Sequence, residues 1–539
     1  PPSPQNGAPP VRRSILTATG AVAVLALVAA CGGGQTRGTG ETAAASSSDD
    51  TFTFVTNTEI VTEWDPALSY SNEIRAMENV YESLTWYDAA TETVEPRLAT
   101  DWESSADGLT WTFTLRDDVT FHTGRALDAT AAKESLDRTI EKAGGAAYIW
   151  DAVDSIEATD PTTLVFHLSY AAPVDLIASS AYAAYVYDTE AAGDGGDLDA
   201  WFAEGNEAGT GPYAVEDWAS GQEYELTLGA YDDYWGGWED GQYTTVEYRV
   251  TPQTTTAWQL LRNGEVDFVE TLNPEIFDQA ESTDGVATSE TGSFQNLLAL
   301  YNTADGPLAD VRVRQAVQLA TDTPGLVDAL NGSGVAAQGI VPDGLLGSGA
   351  GISTEQDLDA ARDLLAEAGY GDGNPLTLTM TYAQGDDNQQ LYVTLLTSAL
   401  AELGVTLDAQ PLQWNAQWDQ ARTGDRQDIF VMYWYPDYAD AYSWFVNVFR
   451  SSDEPYFNLS YLADPEVDAL IDELPALTAT DTDAAQAAYE QLQQRIEVED
   501  AAVSTLWVDT YQRAFRDDVQ GYTDNPAYPN VVFVHELSR

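Results

Sequence analysis

The chain has 539 residues, 44% of them hydrophobic, with 88 acidic against 22 basic side chains and a formal charge of −66. Such a length exceeds a single hydrophobic core and implies two or three lobes, and so negative a surface excludes nucleic acid and anionic membrane as binding partners. Lys133 and Lys142 are the only lysines, a coat expected of a salt-adapted or high-GC organism, and the single cysteine, Cys31, excludes an intramolecular disulfide.

Arg12-Arg13 precede an apolar run from Ile15 to Ala30 that is too short and too rich in small residues for a permanent membrane helix. It reads as an export signal over 1–30. Its end, Val28-Ala29-Ala30-Cys31 before three glycines, resembles a bacterial lipobox, which implies cleavage before Cys31 and a diacylglycerol on its thiol. The alternative is an ordinary secretory peptide with a chance cysteine. Arg12-Arg13-Ser-Ile-Leu is similar to a twin-arginine signal, so the export route stays open. Residues 31–50, rich in Gly, Thr, Ala and Ser, form a flexible tether. The protein is therefore expected on the outer face of the cell membrane, held by lipidated Cys31.

Thr51 to Val55 predicts an opening strand, Trp64-Asp65-Pro66 a turn, and Glu73 to Leu84 a helix with Ile74, Met77, Val80 and Leu84 on one face. Asp107-Gly108 is a hairpin dipeptide, after which Trp111, Phe113 and Leu115 alternate with polar residues as in a half-buried strand. Asp128 predicts the N-cap of a helix ending at Gly144-Gly145, Thr162 to Leu168 a strand, and Ala171 to Tyr185 a second helix. Strands follow at Glu223 to Leu228, Thr245 to Val250 and Val266 to Phe268, with a helix from Thr254 to Asn263. Gln295 to Tyr301 is a strand of the crossing type. Helices over 313–320 and 357–368, a βαβ unit over 376–410, a helix from Asp483 to Glu497 and a strand from Ala502 to Val508 complete the pattern. Such alternation implies an α/β lobe with ligands at strand C-termini. Two crossings, near Gln295–Tyr301 and Leu506–Asp509, would leave a cleft able to hinge shut, and the tail with Val531 to Val534 would rejoin the first lobe.

Trp102, Asp107-Gly108, Trp111-x-Phe113-x-Leu115-Arg116 and Val119-x-Phe121-His122-x-Gly124 together resemble the signature of family 5 extracellular solute-binding proteins, receptors of ABC importers for dipeptides, oligopeptides and nickel chelates. Asn79 to Leu84, Gly209 to Tyr213, Leu260 to Phe268 and Pro307 to Asp322 are similar to further phrases of that family. The resemblance implies a two-lobed α/β periplasmic-binding-protein fold of class II, large type with an extra subdomain. It divides the chain into lobe I over 51–297, with an inserted subdomain at about 86–207, lobe II over 298–507, and a return to lobe I over 508–539. It also implies a monomer working with a permease and an ATPase.

In peptide receptors of this family an aspartate after the strand ending Tyr-Pro-Asp pairs with the peptide α-ammonium, and the matching residue is Asp437, next to Tyr435. A desolvated carboxylate there needs a cation; the alternative is a helix N-cap or solvated turn. Trp414 matches an indole that packs on ligand side chains, or is core filler, and Gln413, Asn415 and Gln417 around it would suit sugar hydroxyls. Tyr70, Ser71 and Asn72 match the first-lobe rim, and Phe294 with Asn296 the crossing strand. The basic residues that meet a peptide carboxylate have no clear match; Arg422 is nearby but shifted in register. Oligosaccharide and metal-chelate receptors are thus alternatives within the family, and a secreted hydrolase is the alternative outside it.

His122, His167 and His535 with one cysteine cannot build a zinc or iron–sulfur site. No Gly-x-Ser-x-Gly elbow and no Walker A loop is present. The expectation is a binding protein with no catalysis, no cofactor and no metal site.

Overall fold

The computed structural model describes residues 50–539 apart from Thr62, Asp194, Asp425 and Glu454. The export signal, Cys31 and the tether up to residue 49 lie outside the described residues. In chain order the strands are β1 Thr51–Thr56, β2 Thr85–Asp88, β3 Thr93–Pro96, β4 Ala99–Ser104, β5 Thr110–Leu115, β6 Val153–Asp160, β7 Thr163–Leu168, β8 Tyr213–Trp218 and β9 Tyr224–Ala230. They continue with β10 Thr245–Val250, β11 Phe268–Val269, β12 Val286–Tyr301, β13 Gly334–Ala336, β14 Thr377–Ala383, β15 Thr406–Leu412, β16 Ile429–Trp434 and β17 Val503–Arg516.

One sheet runs through both halves in the order β15-β14-β16-β12-β17-β11-β1-β10-β9-β8, with β13 added on β17. Its middle is the antiparallel pair β12 and β17, each far longer than the expected crossing segments. They pair from Val286↔Arg516 to Gly292↔Thr510, lose register, and resume at Asn296↔Val508. Ser293, Phe294 and Gln295 therefore lie opposite Asp509 without a regular ladder. On one side β14, β15 and β16 are parallel, as the βαβ pattern requires. A separate antiparallel sheet, β4-β5-β7-β6, is built on the hairpin whose turn holds Gly108 at φ 68°. The aromatic face of that hairpin shares one apolar core with Met432, Trp444 and Ile471 of the far half.

Aspartate sets most of the helix starts. Asp128, Asp310, Asp357 and Asp386 each accept a backbone N–H from the first turn of the helix they precede, a preference that follows from the orphan donors there. Two expectations need correction. The helix expected over 73–84 ends at Val80, because the Val80 carbonyl accepts from Gly211 N (2.9 Å) and Glu82 bridges to Val186. Of the helix expected over 171–185 only Val174–Ile177 forms. That segment is buried on all sides, so no amphipathic face selects a helix, and Ser179 and Ser180 turn their hydroxyls onto backbone carbonyls. In the tail the Asn79 side chain donates to Val532 O (2.9 Å) and accepts from Val534 N (3.0 Å). That tail packs into the core around β1.

Candidate functional site

β16 is buried for four residues and opens at Tyr433 and Trp434. The chain then turns through Tyr435-Pro436-Asp437 and enters the short helical turn Tyr442–Trp444. Asp437 is half-buried where three elements meet. Tyr148 donates its hydroxyl to Asp437 Oδ2 at 2.5 Å, Ser443 donates to the same oxygen at 3.2 Å, and Ser180 donates to the Asp437 carbonyl at 2.6 Å. Tyr148 comes from the 3₁₀ turn Ala147–Trp150 beside the β4–β7 sheet, so Asp437 spans the two halves. Among the described residues no Arg, Lys or His lies within ion-pair distance of it. Desolvation pushes its carboxyl up to about 6, against the pull of the two hydroxyls. A carboxylate held by neutral donors alone, with lone pairs to spare, is a ready acceptor for an ammonium group.

Tyr435 stacks on Tyr182 with ring centroids 6.3 Å apart and lies in the field of Asp437, Glu73 and Arg75, so it also faces the first half. Tyr70, on the turn before the helix Ile74–Val80, is 66% exposed and its phenol feels Tyr456 of the far half. Ser71 and Asn72 share that turn, tied down by bonds to Glu73 Oε1 and to Thr58 and Glu59. Trp414 begins the helix Trp414–Ala421 just past β15 and is 45% exposed, with its edge toward Phe430. It is not core filler.

Two expected contacts are structural instead. Asn296 is fully buried, giving Nδ2 to Ile340 O (2.6 Å) and taking Trp444 Nε1 (3.0 Å) on Oδ1, so both ends of its amide are engaged inside the core. Phe294 is buried in the shared core at the break in β12. Gln417 likewise bonds Val431 O from a fully buried position and cannot meet a sugar hydroxyl. His122 is held between Glu207 (2.8 Å) and Gly211 O (2.9 Å), away from Asp437; burial would lower its pKa, but Glu207 outweighs this and raises it.

Tyr148, Ser180 and Ser443 could not be read from the chain as partners of Asp437, since each is remote in sequence or chemically common. Beside this group an open cavity of about 660 Å³ is lined by Tyr170, Tyr442, Asn447, Arg450, Tyr456 and Phe457, among others. Asn447 donates its side-chain N–H to Ser443 O (3.0 Å), so the cavity and the Asp437 cluster share a wall.

The model of bacterial extracellular solute-binding proteins, family 5 (middle region) matches residues 93–456. The chain belongs to that family. It is 28% identical over 485 residues to the probable D,D-dipeptide-binding periplasmic protein DdpA of Escherichia coli, covering 88% of this chain and 92% of that one. It is 27% identical over 500 residues to heme-binding protein A of Haemophilus influenzae, covering 86% and 88%. Among solved structures, NikA of Brucella suis with Fe(III)-EDTA superimposes with a TM-score of 0.80 at 22% identity, over 90% of this chain and 99% of that one. DppA of Helicobacter pylori with the peptide STSA gives 0.76 at 21%, over 90% and 98%. The fold is thus the two-lobed α/β periplasmic-binding-protein fold, and the protein is an extracytoplasmic solute-binding protein of the ABC-importer type rather than an enzyme.

Proposed function

We propose that this receptor captures short peptides by their free amino terminus, with Asp437 as the anchor, and hands them to a membrane permease after closing about the break between β12 and β17. The observation that carries the reading is Asp437 itself, a half-buried carboxylate with no cation at ion-pair distance among the described residues, held by Tyr148 from one half and Ser443 from the other. The names of several relatives point the same way, including the dipeptide-binding protein of Escherichia coli, 26% identical over 478 residues. A charge-assisted bond to an ammonium contributes about 1.5–3 kcal/mol, so Asp437→Asn should weaken a dipeptide by about 10- to 100-fold. Titration calorimetry of a free and an N-acetylated dipeptide on both proteins tests this; equal affinities would refute the amine assignment. Exposed Trp414 favours oligosaccharides as the second reading, and stabilisation by oligosaccharides but by no peptide would put it first. Anchoring through Cys31 predicts that Cys31→Ser moves the protein into the medium.

A further inference from the structure

Building on the reading of Asp437 as an amine anchor, we propose that the cavity of about 660 Å³ beside it is an aromatic-selective pocket for the side chain of the peptide's first residue. The preferred solutes are then short peptides that begin with Phe, Tyr or Trp.

Two direct links join the cavity to the anchor, one from each half. Tyr148 of the 3₁₀ turn Ala147–Trp150 donates to Asp437 Oδ2 at 2.5 Å, and Asp151, the residue that follows this turn, lines the cavity. On the far half Ser443 donates to the same oxygen at 3.2 Å, and its neighbour Tyr442 lines the cavity. So does Asn447, a single helical turn beyond Ser443, whose side-chain N–H donates to Ser443 O at 3.0 Å. With the α-ammonium on Asp437, the group nearest to that space is the side chain borne by the same carbon.

The walls are rings. Tyr170, two residues past β7, supplies one half's share, and Tyr442, Tyr456 and Phe457 supply the other's. Tyr456 is 57% exposed and Tyr170 39%, and large apolar surface left open around a concavity marks a place where something docks. Tyr456 is nevertheless fixed. Its ring meets Phe457 edge-on (4.6 Å, 88°) and Trp418 (4.8 Å, 71°), and Trp418 Nε1 donates to Tyr456 O at 3.0 Å. The Arg422 guanidinium lies over the same ring, 5.3 Å from its centroid. A ring held in this way loses little freedom when a ligand covers it, and ring-to-ring geometry favours an aromatic guest over an aliphatic one.

Charge does not select an ion here. Arg450 gives Nε and Nη2 to the two oxygens of Asp472 (2.7 and 3.3 Å), so that cation and that anion offset each other. Asp151 is exposed, and water screens it. Among the described residues that line the cavity there is no other charge. A neutral ring can replace water against Tyr170 and Tyr456, whereas a charged side chain would give up hydration for little return.

Titration calorimetry on the full chain with Phe-Ala, Ala-Phe, Ala-Ala, Lys-Ala and Glu-Ala tests the pocket. Phe-Ala should bind about 10-fold more tightly than each of the others, or better. Tyr456→Ala and Tyr170→Ala should each bring the ratio of Phe-Ala to Ala-Ala close to 1. Both rings stand at the surface, where truncation leaves the core intact. Equal affinities for Phe-Ala and Ala-Ala, tighter binding of Ala-Phe, Lys-Ala or Glu-Ala, or a ratio unmoved in either variant overturns the proposal. Asp437→Asn weakens Phe-Ala and Ala-Ala by the same factor, so the ratio reports the pocket and the absolute affinity reports the anchor. If no dipeptide binds at all, the reading of Asp437 fails and takes the pocket with it; binding without a ring preference rejects the pocket alone.

Discussion

Around β1 most buried carboxylates are held by arginine: Asp65 by Arg138, Glu82 by Arg97, Asp188 by Arg125, Glu270 by Arg75 and Asp267 by Arg539. Around β14, β16 and the far end of β17 they are not. Asp437 rests on two hydroxyls, Asp440 on Tyr489 and a backbone N–H, Asp509 on an amide and an indole, and Glu497 on Thr505 N. Glu78, pushed up to about 8 by burial, and Glu225, which accepts from Ile60 N and Val61 N, are exceptions on the first side. With four times as many acids as bases, the chain cannot neutralise every buried carboxylate, and where the cations sit separates scaffold from site. A carboxylate with a guanidinium stays charged and rigid. One with neutral donors can take a proton, or a ligand cation, near neutral pH.

The largest effect expected from this contrast is in the paired class. Glu82 is fully buried, with Arg97 at 3.0 Å and further donors in Thr210, Tyr234 and Trp235. Arg97→Met strands that charge and should cost about 3–5 kcal/mol, read as a shift in the denaturant midpoint. Adding Glu82→Gln should recover part of the loss. If the double variant is no more stable than the single one, packing rather than charge holds this region.

The scaffold was far more legible in the sequence than the site. Asp107-Gly108, the alternation of Trp111, Phe113 and Leu115, and the aspartate caps are local signals, and local physics decides them. The ends of elements were decided elsewhere. The helix from Ile74 stops where Gly211 takes the Val80 carbonyl, and the stretch after Ala171 is buried on every face, so neither outcome could be read from neighbours in the chain. Asp437 was singled out by resemblance, whereas its bond from Tyr148, 289 positions away, exists only through tertiary contact. Asn296 shows the converse. It lies on the crossing strand as expected, yet a buried amide with two backbone and side-chain partners is a structural bracket.

In the unpaired class, stability should depend on pH. Burial raises Glu497 to about 7, and its Oε2 has no partner. A folded-state pKa above the unfolded one means the contribution is intact below the ordinary glutamate range and is lost as pH rises through about 7. Asp509, also near 7, adds to the same window. The melting temperature should therefore fall between pH 5 and pH 8. Glu497→Gln should flatten that decline by about 3 kcal/mol, at about 1.4 kcal/mol per pH unit. A decline of the same steepness in the variant would assign it to general repulsion among the surface acids.

Tyr148→Phe gives the smallest effect and the sharpest comparison with Arg97→Met, because both remove a donor to a cleft or core carboxylate. At pH 5 the Asp437 carboxyl, raised to about 6 by desolvation, is mostly protonated in the folded protein. The lost hydroxyl then costs about 1 kcal/mol, as for a neutral hydrogen bond. At pH 8 the carboxylate is charged, and the same substitution should cost about 1.5–3 kcal/mol. Denaturant unfolding at the two pH values measures the difference directly. A loss that is equal at both would mean Asp437 keeps its charge throughout, and the distinction between arginine-held and hydroxyl-held carboxylates would not extend to the proposed amine anchor.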